Sequence, residues 1–313
     1  MKAVPLTFCT VVTQDHFLNA AALHHSLKAR NPDSRFVALL TDAGEREAAR
    51  LRKMAGFEIL LLSDLDIAGL EDMRTKYDAF ELCNAVRPSL LKHLLLRLNC
   101  PKVIYVDADI FVVGSFDDLD RALDTNHFCL TPHITKPYPR DGMLPDDFSV
   151  LSYGEYNSGF FAVRNSGEAI EVLDFLIDRL RSYCYRDPPY MFVDQKWFSL
   201  LVCLYRSYFG QIDHPGYNVA YWNLHERHIE HADEEFYVNG GPAVFFHMSG
   251  FDRNDPTAFT KRGVKRDKGK PRVVTRSGHR YTVDNYPVLR LVVEKYSELL
   301  RRMEVALPAD QIT

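Results

Sequence analysis

The chain has 313 residues, 46% of them hydrophobic and 26% charged, with a formal net charge of -4. These values exclude a disordered chain, and the slight acidic balance removes any whole-chain case for a nucleic-acid binder. The length suffices for a large buried core and fits one main α/β domain with additions.

Met1 to Leu6 lead straight into strand-like sequence. They lack the apolar core and cleavage site of a secretory signal, and no apolar run approaches the roughly 20 residues of a membrane-spanning helix. A cytoplasmic protein is expected, with association at a membrane surface as the second reading. Six cysteines (Cys9, Cys83, Cys100, Cys129, Cys184, Cys203) are scattered without a C-x-x-C pair. Buried free thiols are expected rather than a disulfide or zinc framework.

Residues 6–13 are β-branched and aromatic and read as a strand, and the stretch after them reads as a helix through Arg30, stopped by Asn31-Pro32. A second strand at 35–40, a charged helix from Gly44 to Ala55 and a third strand at 58–62 continue the alternation. Such β-α-β-α-β order implies a parallel sheet with helices on both faces. Residues 78–98 read as helical with Pro88 inside, so a break is expected near Arg87 and a second helix from Ser89 to Leu98. An apolar strand at 103–106 then runs into Asp107-Ala108-Asp109, and the carboxyl end of such a strand is where open α/β sheets place ligands. Further strands are expected at 126–131, 159–163 and 243–248, and helices at 167–182, 191–206 and 287–303.

The acids at 107 and 109 interrupt sequence that is otherwise apolar, and buried acids require a partner. In extended backbone, residues two apart point the same way, so both carboxylates would face one hard cation while the small Ala108 admits a ligand. A pyrophosphate would complete an octahedral shell. Capping or solvated acids explain an isolated Asp-x-Asp as well. His247 ends an apolar run before Met248-Ser249-Gly250. One nitrogen added to several oxygens favours manganese over magnesium, although a satisfied core histidine is the plainer reading of that segment alone.

Five segments in order resemble glycogenin-like enzymes: Cys9 to Asp15 before a helix, Val106 to Asp109, Tyr156 to Phe161, Val193-Asp194-Gln195, and Phe246 to Gly250. The resemblance spans residues 6–252 and is to a family 8 glycosyltransferase, in a divergent bacterial branch. It implies a GT-A fold, a Rossmann-like mixed sheet flanked by helices. It also implies transfer of a sugar from a nucleotide diphosphate donor, a UDP-sugar by likeness, with retention of configuration. The DXD acids Asp107 and Asp109, with His247, would hold a divalent metal, Mn2+ in preference to Mg2+. Thr10, Val12, Thr13 and Asp15 would hold base and ribose, with Arg87, Ala108 and Gly250 also at the nucleotide-sugar site. Asn157, Asp194 and Gln195 would surround the reacting sugar.

Each of these has a bland counterpart: β propensity for Thr10 and Thr13, a surface position for Arg87, a plain turn for Asn157, a helix N-cap for Asp194. Trp222 and Asn223 belong to an aromatic and amide-rich segment suited to sugars, or to core packing. Family members often carry lysine after the His-x-x-Gly turn, where this chain has Phe251-Asp252-Arg253, leaving Arg253 or Lys261 as substitutes. Residues 261–280 hold nine lysines and arginines against one acid, Asp267. A solvated loop is expected there, with anionic-membrane contact second and nucleic acid third.

The expected organisation is a catalytic domain over residues 1–252 and a basic loop with C-terminal helix over 253–313. The acceptor would be a saccharide, glycolipid or protein, as in polysaccharide biosynthesis, and no nucleic acid is expected. A nucleotidyltransferase is the enzymatic rival, but residues 11–23 contain no glycine for its phosphate loop. A non-catalytic protein binding anionic lipid or nucleic acid is the rival of another class.

Overall fold

The computed structural model describes residues 5–253, 259–260 and 286–307. The basic segment at 261–280 and Lys261 lie outside the described residues. In chain order, β1 (Thr7–Val12), α1 (Phe17–Arg30), β2 (Arg35–Leu40), α2 (Glu45–Ala55) and β3 (Glu58–Leu61) alternate as expected. Helices α3 (Leu70–Lys76), α4 (Ala79–Ala85) and α5 (Arg87–Leu96) lead to β4 (Lys102–Val106), and a turn joins β4 to β5 (Ile110–Val112). Then come α6 (Asp117–Ala122), β6 (Phe128–Pro132), α7 (Asp147–Tyr153), β7 (Tyr156–Arg164) and α8 (Gly167–Leu180). A short hairpin of β8 (Arg186–Asp187) and β9 (Met191–Phe192) precedes α9 (Gln195–Leu204) and β10 (Phe209–Gln211). The remainder is β11 (Ile229–Ala232), β12 (Glu235–Val238), β13 (Gly241–Pro242), β14 (Phe245–His247) and α10 (Pro287–Ala306).

The main sheet has seven strands in the order β10-β6-β7-β4-β1-β2-β3. Strands β4, β1, β2 and β3 are parallel, whereas β7 runs antiparallel to both β4 and β6. The sheet is therefore mixed, and the all-parallel continuation implied by the first three strands stops at β4.

Strand periodicity divides the core. Cys9, Val11, Val103, Tyr105 and Phe161 face α5, α8 and α9, while Phe8, Ile104, Val106 and Phe160 face α1, β5 and β14. Helix α10 closes the second layer: Val292, Val293 and Tyr296 share a core with Ala22 of α1 and Phe246 of β14. Among the described residues no helix is long and apolar enough to cross a membrane.

Two boundaries differ from expectation. Helix α5 begins at Arg87, not Ser89. Pro88 is tolerated there because the N–H it lacks has no intrahelical partner in a first turn. Helix α9 begins at Gln195 instead of 191 because Met191 and Phe192 pair with Arg186 and Asp187. The cysteines are all free, but Cys203 is exposed and Cys83 half-buried, so burial does not hold for every thiol.

Strand β14 does not join the main sheet. It pairs antiparallel with β5, placing His247 opposite Ile110. Phe116 joins this two-stranded ribbon to the sheet: its ring meets Phe8 of β1 (4.9 Å), Tyr217 (5.9 Å) and Phe245 of β14 (5.9 Å). Phe116 is fully buried. Truncation in Phe116→Ala should cost about 3–5 kcal/mol, a cavity-forming loss read from the urea unfolding midpoint. A loss below about 1 kcal/mol would show that the ribbon is not held through this ring.

Candidate active site

Asp107 and Asp109 flank a tight turn, with the Ile110 N–H donating to the Asp107 carbonyl at 3.1 Å. This corrects the strand-alternation argument. The acids converge because the chain reverses between β4 and β5, not because extended backbone sends alternate side chains one way. The same turn starts β5, so the pairing of β5 with β14 carries His247 to the acids across the intervening sequence. The Met248 N–H closes the corner by donating to the Asp109 carbonyl at 2.9 Å.

His247 Nε2 lies 3.1 Å from Asp109 Oδ1 and 3.9 Å from Asp107 Oδ2, and the ligand atoms of all three residues lie within 4.8 Å of one another. Two carboxylate oxygens and an imidazole nitrogen at such separations fit a divalent cation whose remaining positions stay open. Gly159 of β7 makes room for them. A Cβ there would lie 2.5 Å from Asp107 Oδ2 and 2.6 Å from His247 Cε1.

Behind the acids sits Arg87, buried at the start of α5. Its Nη2 donates to Asp107 Oδ1 at 2.7 Å, and its Nη1 reaches Asp194 Oδ2 at 3.2 Å and Ser158 Oγ at 3.2 Å. The guanidinium lies 4.5 Å over the Tyr105 ring, and the Tyr105 hydroxyl also donates to Asp107 Oδ1 at 2.9 Å. Burial opposes the charge of Arg87, but Asp107 and Asp194 outweigh it and hold its pKa well above the ordinary value. Burial pushes the Asp194 carboxyl up, against the pull of Arg87 and Ser158.

Asp194 occupies the N-cap position of α9, yet its carboxylate caps nothing there. It accepts from Arg87 and from Ser158 Oγ, the latter at 2.9 Å. The residue before it, Val193, has a φ of +41°, a left-handed conformation that is costly for a β-branched side chain. Sequence gives no sign of this strain, which turns Asp194 and Gln195 inward.

Asn157 lies within β7, where a turn was one expectation. Its Nδ2 donates to Gln195 Oε1 at 3.2 Å, and Gln195 Nε2 donates to the Tyr153 carbonyl at 2.9 Å. Asn218 donates through Nδ2 to Asn157 Oδ1 (3.1 Å) and Thr131 Oγ1 (2.8 Å), and its Oδ1 lies 3.0 Å from His247 Nδ1. His133 contributes Nε2 to Asn157 Nδ2 at 3.3 Å, and burial lowers its pKa to about 4.

Thr10 is fully buried in β1 with a hydroxyl that has no partner among the described residues, and Val12 is buried beside the strand end. Thr13 is half-buried and Asp15 exposed in the turn that follows, a turn tied down by the Gln14 N–H donating to Asp42 Oδ1 at 2.9 Å. Ala108 is half-buried between the acids, and Gly250 takes a φ of +75° in the turn after β14.

Trp222 is turned inward, with its ring 5.1 Å from that of His247 and 5.2 Å from that of His133. Asn223 is buried and spans its own loop, accepting from the Ala220 N–H at 3.0 Å and donating to the Asn218 carbonyl at 2.9 Å. Both face the interior, where they support the loop carrying Asn218. Arg253 is paired with Glu304 of α10 at 2.7 Å.

Sequence reasoning passed over Gly159, Ser158, Tyr105, His133 and Asn218 as site residues. Ser158 and Gly159 lay in the motif at 156–161, Asn218 in the aromatic and amide-rich segment, and Tyr105 in the strand that leads to the acids. His133 alone carries no signal apart from its neighbours in space.

No protein-family model matches the chain. Two proteins of Bacillus subtilis (strain 168), YfnF and YfnD, both described as uncharacterized, are similar to it. They are 23% identical over 248 residues and 21% identical over 259 residues, covering 78% of this chain in each case and 81% and 77% of the relatives. Among solved structures, the galactosyltransferase LgtC in complex with donor and acceptor sugar analogs matches with a TM-score of 0.52 at 13% identity, covering 95% of each chain. An active-site mutant of LgtC gives 0.52 at 14% identity with the same coverage. The chain has the GT-A fold of these glycosyltransferases.

Two outcomes follow from the geometry. Arg87→Met strips Asp194 of the strongest effect opposing its burial, so the folded state binds a proton more tightly than the unfolded chain. Stability then falls as pH rises through and beyond the ordinary carboxylate pKa of about 3.9. The variant should lose about 3–5 kcal/mol near neutral pH and regain part of it near pH 4, by urea unfolding at both pH values. An equal loss at both would exonerate Asp194. Gly159→Ala should keep its circular dichroism spectrum yet bind Mn2+ about 10–100-fold more weakly, as when groups that orient ligands are disturbed. Unchanged Mn2+ titration would mean that the three ligands do not share this space.

Proposed function

We propose that the protein is a metal-dependent glycosyltransferase, moving a sugar from a nucleotide diphosphate donor to a saccharide, glycolipid or protein acceptor with retention of configuration. One observation carries this reading: Asp107, Asp109 and His247 meet at the carboxyl edge of a GT-A sheet, directly against a buried network of Arg87, Asn157, Asp194 and Gln195. The first three residues would hold a divalent cation, Mn2+ by the nitrogen in the set, whose chemistry when bound is to neutralise a departing diphosphate.

The chain's own groups account for the rest. Arg87 keeps a fixed positive charge behind Asp107 and so orients that carboxylate with its second oxygen toward His247. The oxygens of Asp194 are engaged by Arg87 and Ser158. A carboxylate so occupied serves as a fixed negative charge near a developing cation better than as a covalent nucleophile. Same-face attack by the acceptor, with the departing phosphate taking its proton, is therefore the preferred route to retention. Asn157 and Gln195 present amide groups held in place before any ligand arrives, which is how polar groups stabilise developing charge without reorganising.

The turn after β1, with Val12, Thr13 and Asp15, is assigned to the base and ribose, and uracil is supported by the glycogenin-like motifs. Thr10 is assigned there with them, its buried hydroxyl requiring a local opening to reach a ligand. Gly250 and Ala108 are assigned to the phosphate side. We take residues 1–252 as the catalytic unit and 253–313 as its C-terminal extension.

Thermal-shift titration with nucleotide diphosphates, with and without Mn2+, tests the reading. A true ligand at 100 times its dissociation constant should stabilise by about 2.7 kcal/mol, and UDP should do so only when Mn2+ is present. Asp109→Ala should abolish the Mn2+-dependent part of the shift together with donor turnover. Wild-type turnover by that variant under chelation would refute the cation assignment. Salt-sensitive binding of polyanions, with no shift by any nucleotide diphosphate, would favour the non-catalytic alternative.

A further inference from the structure

The orientation of an amide side chain is set by its partners, since its oxygen and nitrogen have nearly the same shape. In this site the backbone sets it. The Ser158 N–H can only donate, and it meets Gln195 Oε1 at 3.1 Å; the Tyr153 carbonyl can only accept, and it meets Gln195 Nε2 at 2.9 Å. Gln195 Oε1 therefore also accepts from Asn157 Nδ2, at 3.2 Å. Asn157 Oδ1 is then left facing Asn218 Nδ2 at 3.1 Å, and Asn218 Oδ1 faces His247 Nδ1 at 3.0 Å. The last link is a proton on Nδ1, which leaves the lone pair on Nε2, the nitrogen beside Asp109.

His133 supports the same polarity from the side. Its Nδ1 lies 2.8 Å from the Gly154 carbonyl, an acceptor, so Nδ1 donates and Nε2 of the neutral ring receives the Asn157 amide. Each polar atom in the chain has one sense, and reversing any amide would set oxygen against oxygen.

We propose that Asn218 is a positioning residue that couples the two halves of the site: its amide nitrogen engages the oxygen that Asn157 presents, and its amide oxygen thereby selects the ligating nitrogen of His247. What the cation and Asn157 then do rests on the glycosyltransferase reading, but the polarity of the chain does not. The backbone at Asn218 has a φ of +52°, a conformation open to Gly, Asn and Asp at lower cost than to other residues. Of these, asparagine alone offers both an acceptor for His247 and a donor for Asn157.

That restriction supplies the test. Asn218→Asp keeps an oxygen for His247 Nδ1–H but places a second oxygen against Asn157 Oδ1, while Asn218→Gly removes both contacts and keeps the backbone. Nitrogen NMR of labelled histidine should find a hydrogen-bonded proton on His247 Nδ1 in the wild type and in Asn218→Asp, whatever the Nε2 beside Asp109 carries, and should lose that signature in Asn218→Gly. Mn2+ affinity should fall about 10–100-fold in Asn218→Gly and hold in Asn218→Asp. With UDP-sugar donors, kcat should fall in both. An unaltered Nδ1 signature in Asn218→Gly, or equal weakening of Mn2+ binding in the two variants, overturns the coupling. Should the wild type bind neither Mn2+ nor any nucleotide sugar, the proposed function fails while the NMR result still decides the polarity of the chain.

Discussion

A guanidinium buried between two carboxylates governs how this site is built. Arg87 bridges Asp107, at the end of β4, and Asp194, at the start of α9, with the Tyr105 ring beneath it. Neither a lone buried arginine nor a lone buried Asp194 would be tolerated, because the desolvation cost of an unpaired ion amounts to several kcal/mol. The triad is therefore cooperative. It ties the carboxyl end of the sheet to the helix that carries Gln195, and it leaves one oxygen of Asp107 free to face His247.

Around this charged centre the remaining polar groups form an ordered chain of amides that begins on backbone atoms of Tyr153 and Ser158 and ends at His247. Charge sets position on one side and hydrogen-bond polarity sets it on the other. Both act before a ligand is present, so the site is organised by the protein's own contacts. The strained φ of Val193 and the left-handed φ of Asn218 fit this picture, since packing and hydrogen bonds around them hold conformations that isolated chains avoid.

The ribbon of β5 and β14 is the second constraint. Without it the acids and the imidazole would have no reason to meet, because His247 is far from them in sequence and its strand lies outside the main sheet. The aromatic cluster at Phe116 and the layer formed by α1 and α10 keep that ribbon seated. Trp222 and Asn223 belong to the same support, packed beneath His247 and bracing the loop of Asn218.

Local chemistry made much of the molecule readable. The continuous β-branched and apolar runs of β1, β2 and β4 and the Asn31-Pro32 stop after α1 marked the elements, and the order of five short motifs marked the GT-A fold. Acids in an apolar strand end announced themselves because their burial demands a partner. What the chain order could not convey was convergence. That Asp107 and Asp109 meet through a turn, that Asp194 spends its carboxylate on Arg87 instead of a helix cap, that Gly159 leaves the space its neighbours fill, and that Asn218 selects the histidine nitrogen are all decided in three dimensions. Pairing, burial and the sense of each hydrogen bond belong to groups distant in sequence, and they acquire values only when the sheet and its helices bring those groups into contact.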